Sequence, residues 1–546
     1  LLELEEDEER ISNKLYLYSN IYSLDQTNIS FIRLLKEVEL VENKYRELLS
    51  WIAPELDEVS EDDAMKWIKD SELSYYEKDI KEFYRLKKHR LNKNDAELVS
   101  KLARSRSAAS QIYSELTVSD AEIPVLKFND EEIKLTQTKY SEIMKNSDPK
   151  KDRDLRREAT LKYYERYYKN KFTLSSIYQK IAEKVSENTK ITKFDNTLDA
   201  SLFGNDIPKS VYEKLLEVAS SNKKIVEKNS KMYADYLKKE YGLDDLVTSD
   251  AQLELFSNNK RYEIDDAISI IDKVAKNVSP EYHSVFKQVV KPGYIDYIEG
   301  ENKVKGAYST GNTIYDPLIL MNWTYDLGSV LTLAHEIGHS IHTILSNKNQ
   351  KLPYQGYSIY LAEIASTLLE MLVIDDLIDN TKNTNEKMFL LNHKIDTQIA
   401  TFFRQAQFAD FEKEVLESVH DGKIYDHEQL SELFIDKAKK YGKTNTFKRI
   451  NDDMKYVWTR ISHFFGSPYY VYQYATCIAA SFSLIDSVKK GKPESFIHII
   501  KSGSVENPDI ILKKNGINLS TNEAYKPLIN SMNNTLKEIE KIYKKI

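Results

Sequence analysis

Two histidines and a glutamate stand together in a short stretch of this sequence, at a spacing that suits metal-assisted hydrolysis. The pentapeptide is His335-Glu336-Ile337-Gly338-His339. Residues four apart lie on one face of an α-helix, so His335 and His339 can bind the same zinc ion. Glu336 then lies beside the water that the metal activates and can take its proton. The pattern predicts hydrolysis of a peptide bond by a zinc-activated water.

The residues around this pentapeptide predict a buried helix. The 546-residue chain contains only 10 histidines, so this pattern is uncommon by chance. Apolar residues recur at helical spacing through segment 331–345. Burying two imidazoles and a carboxylate is costly unless they are paired or bind metal. The two histidines are therefore better explained as metal ligands than as residues on the surface of an ordinary helix.

A third ligand is needed, because a catalytic zinc takes three protein ligands and leaves one position open. Segment 360–370 predicts a second helix with Glu363 and Glu370 on one face. Glu363 follows His339 by 24 residues, and the intervening segment 346–353 has the composition of a loop. The second helix can therefore return beside the first, and we predict Glu363 as the third ligand.

Two neighbouring side chains each allow two interpretations. His342 shares a face with His335 but lies a further turn along, so we interpret it as a residue that supports a ligand or lines the channel. A zinc-protease pattern with a third histidine six residues after the second is not matched, because Leu345 stands there. Glu370 either orients a ligating imidazole or is a carboxylate on the helix surface.

Six segments follow one another between about residues 300 and 480 in an order typical of one family. Together they resemble oligoendopeptidase F, the bacterial branch of the thimet oligopeptidase-like M3 zinc peptidases. The N-terminal part is similar only as a helical lobe. The segments are 306–309, 319–323, 333–342, 362–367, 403–405 and 468–475.

The resemblance implies one Zn²⁺ per chain, bound by His335, His339 and Glu363, with Glu336 as the general base. It also implies oligopeptide substrates, because the family buries its site in a deep channel that folded proteins cannot enter. The fold that it implies is mostly α, with two helical lobes around that channel and a small β-sheet beside the zinc helix.

A late tyrosine-rich segment supplies further catalytic groups in the family, which bind the substrate carbonyl and stabilise the oxyanion. His463 is the counterpart of the family's histidine. We favour Tyr470 and Tyr472 as the tyrosines, with Tyr469 in reserve. Cys477 stands where the family has a small residue, and we expect it to be a buried packing thiol.

Composition and periodicity favour long helices. The chain has only 15 glycines and 12 prolines. We predict an N-terminal helical lobe over 1–130 and a zinc peptidase domain over 131–546, with the catalytic core at about 300–480. Helical patterns run over 60–120, 130–145, 151–189, 208–240, 264–277, 327–346, 358–379, 384–420, 427–441, 470–490 and 520–545.

Segments 306–310 and 318–322 are among the few strand-like stretches, and they precede the zinc helix. One interpretation is an edge strand that pairs with an extended peptide substrate. The other is a hairpin that only supports the helix.

Charge and composition exclude several classes of partner. A net charge of -8 and a pI near 5.9 argue against nucleic acid. The apolar runs are too short to span a bilayer, so no membrane partner is expected. A single cysteine fits a reducing, cytoplasmic location. The chain begins with Leu1 rather than methionine, so whether its N-terminus is complete stays open, as does the oligomeric state.

The leading functional prediction is a zinc endopeptidase for short peptides. The alternative is a zinc carboxypeptidase or dipeptidyl carboxypeptidase, in which Arg404 or Arg460 holds the substrate's terminal carboxylate. A third possibility is a peptide-binding protein without catalysis, although every expected metal ligand and the base are present.

Overall fold

The computed structural model describes residues 2–49, 51–69, 74, 76–256 and 260–545. Helices dominate this part of the chain and the strands form only two small sheets, so the prediction of a mostly α fold is confirmed. Residues 70–73 and 75 of the predicted helical segment 60–120 lie outside the described residues. Among the described helices, none combines the length and apolar character that crossing a bilayer requires.

Thirteen α-helices are described before residue 257, and they are α1 (Leu2–Leu24), α2 (Ile29–Leu48), α3 (Ile52–Asp57), α4 (Glu61–Lys69), α5 (Glu77–Lys87), α6 (Lys93–Lys101), α7 (Ala103–Ser114), α8 (Gln137–Asn146), α9 (Arg153–Lys169), α10 (Lys171–Ile191), α11 (Thr197–Gly204), α12 (Lys209–Ser221) and α13 (Lys224–Tyr241). Twelve follow within residues 260–545, and they are α14 (Ile264–Val278), α15 (Pro280–Val289), α16 (Leu327–Asn349), α17 (Ile359–Asn380), α18 (Thr384–Ile399), α19 (Gln405–His420), α20 (His427–Lys440), α21 (Ser462–Gly466), α22 (Tyr472–Lys489), α23 (Glu494–Lys501), α24 (Pro508–Lys514) and α25 (Lys526–Tyr543).

The chain divides into two compact units, each built from three separate segments. The first unit comprises Leu1–Arg90, Asn259–Asn380 and Cys477–Asn518. The second unit comprises Leu91–Asn258, Thr381–Thr476 and Leu519–Ile546. The predicted metal ligands belong to the first unit, whereas His463 and the candidate tyrosines belong to the second. The predicted boundary near residue 130 follows sequence order instead and stays a prediction.

A β-hairpin in the second unit corrects one helical prediction. Strands β1 (Val125–Phe128) and β2 (Glu131–Lys134) pair antiparallel, so the helical segment predicted from residue 130 is wrong over its first residues. Asn129 and Asp130 both have positive φ, 51° and 65°. Two such residues make the tight turn whose twist suits a hairpin. Helix α8 begins only at Gln137.

The first unit contains a three-stranded sheet beside α16, the helix predicted to bind zinc, which confirms the expected small sheet. Its strands are β3 (Ile295–Asp296), β4 (Tyr308–Thr310) and β5 (Leu318–Leu320). Strand β5 is central, parallel to β3 and antiparallel to β4, so β4 is an edge strand. Ser309 lies opposite Ile319, whose N–H donates to Tyr294 on the β3 side. The backbone N–H of Ser309 therefore points away from β5, to the open edge of the sheet.

Helices α16 and α17 carry the candidate metal ligands and pack closely together. Asp326 caps the N-terminus of α16, since its side chain accepts the Ser329 backbone N–H. A Cβ placed on Gly338 would lie 2.7 Å from the carbonyl oxygen of Ala365 and 2.7 Å from the Cα of Ser366. The two backbones thus touch at Gly338, at the turn of α16 that lies between the two histidines.

Candidate active site

The structure brings the three predicted metal ligands together. The Oε2 atom of Glu363 lies 3.2 Å from Nε2 of His335 and 3.6 Å from Nε2 of His339. All three ligand atoms lie within 4.8 Å of one another. Two ligand atoms about 2.1 Å from a tetrahedral zinc lie about 3.4 Å apart. Two imidazoles and one carboxylate are also a donor set of catalytic zinc sites. These residues therefore fit a zinc ion.

Glu370 is not a surface carboxylate, because it lies behind one of these histidines. Its Oε2 atom is 3.2 Å from Nδ1 of His335, and its side chain is only 16% exposed. A carboxylate on one ring nitrogen fixes the orientation of the imidazole and leaves Nε2 to bind a metal. Ser366 restrains Glu363 in a similar way, since its hydroxyl donates to Oε2 of Glu363 at 3.0 Å.

The pKa values of His335 and Glu363 are shifted by the charged side chains with which each is paired. Burial alone lowers the pKa of His335, but the carboxylates of Glu363 and Glu370 outweigh it and hold that pKa well above its usual range. Burial alone raises the pKa of Glu363, but the two histidines outweigh it and hold that pKa well below its usual range. Each buried charge therefore has a complement of opposite sign at hydrogen-bond distance.

Glu336 lies on the same helix but in a different environment. It is 7% exposed, and burial raises the pKa of its carboxyl, while His335 and His339 oppose that rise. The backbone N–H of Ser309, at the open edge of β4, faces this carboxylate and also lowers its pKa. The Ser309 hydroxyl is 2.8 Å from that of Ser340 on α16, which ties the edge strand to the helix. A carboxylate held this way can accept a proton.

His342 does not belong to the ligand group. It is fully buried, its ring stacks on Tyr357 at a centroid distance of 3.6 Å, and burial lowers its pKa to about 3. His342 is therefore a neutral side chain that packs between α16 and the residues before α17. Cys477 is buried, and its thiol donates to the carbonyl oxygen of Tyr360 at 3.1 Å. Its environment is that of a packing thiol.

In the second unit, His463 has two tyrosine neighbours. The ring of Tyr470 lies parallel to the imidazole at a centroid distance of 5.8 Å. The hydroxyl of Tyr474 is 3.5 Å from Nε2 of His463. His463, Tyr470 and Tyr474 are all half-buried, and burial lowers the pKa of His463. The sequence prediction did not include Tyr474, although its spacing of four residues from Tyr470 on one helical face is a signal that could have found it.

Tyr469 and Tyr472 point into the core of this unit instead. Tyr472 is 2% exposed, with its ring 5.1 Å from that of Tyr212. Tyr469 is 3% exposed, and its hydroxyl is 2.7 Å from that of Thr197. The structure thus places Tyr470, but not Tyr472, beside His463.

Arg404 and Arg460, the candidate carboxylate-binding cations, also lie in the second unit. Arg404 ends a π-helical turn, Ala400–Arg404, and its side chain makes no salt bridge with a described residue. Burial and the charge of Arg460 lower its pKa, and Asp396 opposes them. Arg460 lies over the ring of Tyr164 at 5.6 Å.

Comparison with known proteins decides the family. A family model described as Peptidase family M3 matches residues 143–530, and one described as Oligopeptidase F matches residues 55–122. The chain belongs to peptidase family M3. The resemblance seen in the sequence is confirmed, and this member of family M3 is a metallo-oligopeptidase, an enzyme that acts on peptides.

Relatives and solved structures cover nearly the whole chain of this M3 member. An oligoendopeptidase F homolog of Borreliella burgdorferi is 30% identical over 99% of this chain and 90% of its own length. A homolog of Lactococcus lactis is 28% identical over 97% of this chain and 88% of its own length.

Two solved structures share this M3 fold. A putative peptidase from Chlamydophila abortus has a TM-score of 0.86 at 28% identity, covering 99% of this chain and 90% of its own. Oligoendopeptidase-F from Enterococcus faecium has a TM-score of 0.76 at 22% identity, covering 100% and 92%, and shows the fold alone.

Proposed function

We propose that this protein is a zinc-dependent endopeptidase that hydrolyses internal bonds of short peptides in the cytoplasm, with one Zn²⁺ per chain. The observation that carries the proposal is the convergence of His335, His339 and Glu363, with Glu370 behind the first histidine. The endopeptidase mode is supported by the relatives, several of which are named oligoendopeptidase F.

The protein's own residues would divide the reaction as follows. A zinc ion bound by His335, His339 and Glu363 would lower the pKa of water and polarise the scissile carbonyl. Glu336 accepts the proton of the attacking water and then delivers it to the nitrogen of the leaving amine. The raised pKa of its buried carboxyl favours this role, since a base that must also act as an acid works best when its pKa lies nearer the working pH.

The donors for the developing oxyanion would come from the tyrosine-rich segment. Burial lowers the pKa of His463, which leaves a neutral imidazole whose N–H can donate. Tyr470 is the preferred hydroxyl donor because it is half-buried beside His463, and Tyr474 is the second. Tyr472, the other tyrosine predicted from the sequence, packs on Tyr212 and is the weaker candidate. Each such donor contributes about 10²–10³ in rate.

Edge strand β4 offers a place for an extended substrate. Its open edge carries backbone groups that another strand can pair with, a mode that does not read side chains. One of these groups, the N–H of Ser309, already faces Glu336. A substrate strand on this edge would therefore lie beside the proposed base. The limit to short peptides is supported by the relatives that are named oligoendopeptidase or oligopeptidase.

The deciding experiment compares the wild type with Glu336→Gln on end-blocked peptides of graded length, with products identified by mass spectrometry. We expect internal cuts in peptides of about 6–20 residues, and a loss of turnover of about 10³-fold or more with full zinc content in the variant. Glu299→Gln makes the same chemical change at an exposed loop position and should keep wild-type activity.

Other outcomes would overturn the proposal. Release of products only from free C-termini would favour the carboxypeptidase alternative. That alternative is tested with Arg404→Met, because the Arg404 side chain, which feels the charge of Asp396 without forming a salt bridge to it, could hold a terminal carboxylate. A protein with full zinc content that cleaves no peptide would be a binding protein instead.

A further inference from the structure

Edge strand β4 is held in its sheet from one side only. It is three residues long and, among the described strands, pairs with β5 alone. A pair of such short strands is only marginally stable by itself. The open edge must also stay free if a substrate strand is to add there. Support for β4 therefore has to come from the two faces of the sheet.

The two faces of β4 contact different helices, because successive side chains of a strand point to opposite faces. Ser309 points to α16, where its hydroxyl is 2.8 Å from that of Ser340. Thr310 points the other way and donates its hydroxyl to Oδ1 of Asn20 on α1 at 3.0 Å. The hydroxyl of Tyr308 lies 3.4 Å from the same oxygen. The strand thus lies between α1 and the helix that carries two of the candidate metal ligands.

Tyr16, one turn before Asn20 on α1, joins the two strands of the hairpin β4–β5. Its hydroxyl accepts the backbone N–H of Leu318, the first residue of β5, at 3.1 Å. The hydroxyl has one proton, which it can donate to the carbonyl oxygen of Asp316 at 3.3 Å or to that of Thr310 at 3.4 Å. Thr310 is the last residue of β4. One side chain therefore connects the end of β4 to the beginning of β5.

Further contacts join the two ends of α1 to the segments on either side of β4. Near its beginning, Glu9 accepts the hydroxyl of Thr313, which lies in the loop between β4 and β5. Near its end, the backbone carbonyl of Ser23 accepts the N–H of Val304 at 2.9 Å. Helix α1 therefore follows the chain from the segment before β4 to the loop after it.

The face of α1 that makes these contacts is polar. Glu9, Tyr16, Asn20 and Ser23 are separated by seven, four and three residues, so they lie on one face of the helix. A helix face that packs on protein is usually apolar, and apolar contact is non-directional. Hydrogen bonds instead weaken steeply away from their best distance and angle. This face is therefore suited to fixing the position of the hairpin rather than only covering it.

We propose that α1 positions β4 for pairing with the peptide substrate, and that Tyr16 is the positioning residue that holds the hairpin in the pairing geometry. This inference deepens the proposed function and rests on it, because β4 is the strand on which the substrate is proposed to add. Helix α1 lies outside the regions that the two family models match, so the family assignment itself gives it no role.

The first test is Tyr16→Phe, which removes the hydroxyl and keeps the ring that stacks on Tyr315 at a centroid distance of 6.4 Å. Without the hydroxyl, the hairpin holds the pairing geometry for a smaller fraction of the time, and apparent substrate affinity falls with that fraction. We expect KM for an end-blocked peptide to rise about three- to tenfold, the effect of one hydrogen-bonded hydroxyl. The kcat should change less than about twofold, since the groups around the reacting bond are untouched.

Two further measurements separate positioning from a general loss of stability. Hydrogen exchange in Tyr16→Phe should quicken in peptides covering residues 306–320 and stay unchanged in α17, with zinc content equal to that of the wild type. The Kd of the same peptide for Glu336→Gln should rise by the same factor as KM when Tyr16→Phe is added, because a change in KM alone need not be a change in binding.

A matched control and a second variant accompany the first. Tyr18→Phe makes the same chemical change two residues away, on another face of α1, and should keep KM within about twofold of wild type. Thr310→Val removes the hydroxyl that Asn20 accepts and keeps the shape of the side chain. It should raise KM about two- to fivefold with kcat unchanged, and it replaces Tyr16→Phe if that variant does not fold.

Three results would overturn the inference. Tyr16→Phe could keep the wild-type KM and the wild-type exchange of residues 306–320. Its kcat and KM could both worsen in proportion to a lower melting temperature, as a general loss of stability would cause. Tyr18→Phe could also raise KM as much as Tyr16→Phe does. If the wild type cleaves no peptide, the proposed function fails, and the exchange comparison still decides whether Tyr16 holds the hairpin.

Discussion

The two units bury carboxyl groups in opposite ways. In the first unit, Glu363 faces two imidazoles, and its pKa is held below the usual range although burial pushes the other way. In the second unit, Glu412 on α19 is 1% exposed, neither of its carboxyl oxygens has a hydrogen-bond partner among the described residues, and burial raises its pKa to about 8. The side chain of Glu363 is 13% exposed. The comparison shows that the partners of a buried carboxyl group, rather than its burial, decide whether it is charged at neutral pH.

The difference also separates two kinds of role. A charged, paired carboxylate can bind a cation, whereas a largely neutral, unpaired one can only accept or donate a hydrogen bond. The carboxylate of Glu363 is therefore suited to binding a cation, whereas the carboxyl group of Glu412 is not.

The largest expected effect separates metal binding from oxyanion stabilisation. Glu363→Ala should lose zinc on dialysis and with it all measurable peptidase activity, because two imidazoles alone bind zinc weakly. His463→Phe should keep zinc and lower kcat by about 10²–10³. Elemental analysis of the dialysed proteins, combined with kcat on a blocked peptide, checks both. Loss of zinc from His463→Phe would break the assignment of the two roles to the two units.

A steric change at the helix contact should destabilise the first unit. Alanine is usually preferred over glycine inside a helix, but a Cβ at position 338 meets the backbone of α17 at 2.7 Å. We expect Gly338→Ala to lower the free energy of unfolding by about 2–3 kcal/mol and to weaken zinc binding. Gly204→Ala is the control in the second unit, since nothing lies within 4 Å of its added Cβ. Denaturant titration measures both, and equal stability of the two variants would contradict the close contact.

Removing the support behind His335 should have a smaller effect than removing a ligand. Glu370→Gln keeps the volume but loses the charge that orients the imidazole at 3.2 Å. Zinc affinity should fall about 10–100-fold, a range typical of such supporting groups. Competition with a chelator of known affinity measures the change. A wild-type affinity would show that Glu370 does not orient the ligand.

The smallest effect concerns Glu412 and pH. Its carboxyl titrates at about 8 in the folded protein against an ordinary value of 4.5. Between these values the folded chain keeps a proton that the unfolded chain releases, so this contribution to stability is full below pH 4.5 and is lost as pH rises to 8. The slope is at most about 1.4 kcal/mol per pH unit. Glu412→Leu should remove it, as measured by unfolding from pH 5 to 9. Parallel curves for the variant and wild type would show that Glu412 has an ordinary pKa.

Sequence reasoning worked where the chemistry depends on local spacing. His335 and His339 are one helical turn apart, and Glu363 stands on the next helix. Helical periodicity was therefore enough to predict these three residues as a candidate ligand set. The candidate tyrosines fall in the connection between α21 and α22, where Tyr469 has a φ of 59°, so no spacing rule for a regular helix predicts which of them lies beside His463. The sequence therefore suggested Tyr472, which the structure places in the core, and overlooked Tyr474.

One further miss depends on contacts between residues distant in sequence. Glu412 looked like an ordinary glutamate on an amphipathic helix, and its burial arises where α10 and α12 pack against α19. The hairpin at residues 125–134 is a local miss, because its second strand, Glu131–Lys134, consists mostly of charged residues that also suit the first turn of a helix.

Gly338 has a consequence for how this enzyme can vary. The general motif leaves the two residues between Glu336 and His339 unspecified. Here Ile337 is fully buried and can be replaced by valine or leucine, which are also apolar. At position 338, every residue other than glycine adds a Cβ that meets the backbone of α17. In a library of random substitutions, we expect position 338 to accept as few residues as positions 335 and 339. At position 338 the cause is the lack of space for a side chain, whereas at the histidines it is the need for a ligand atom.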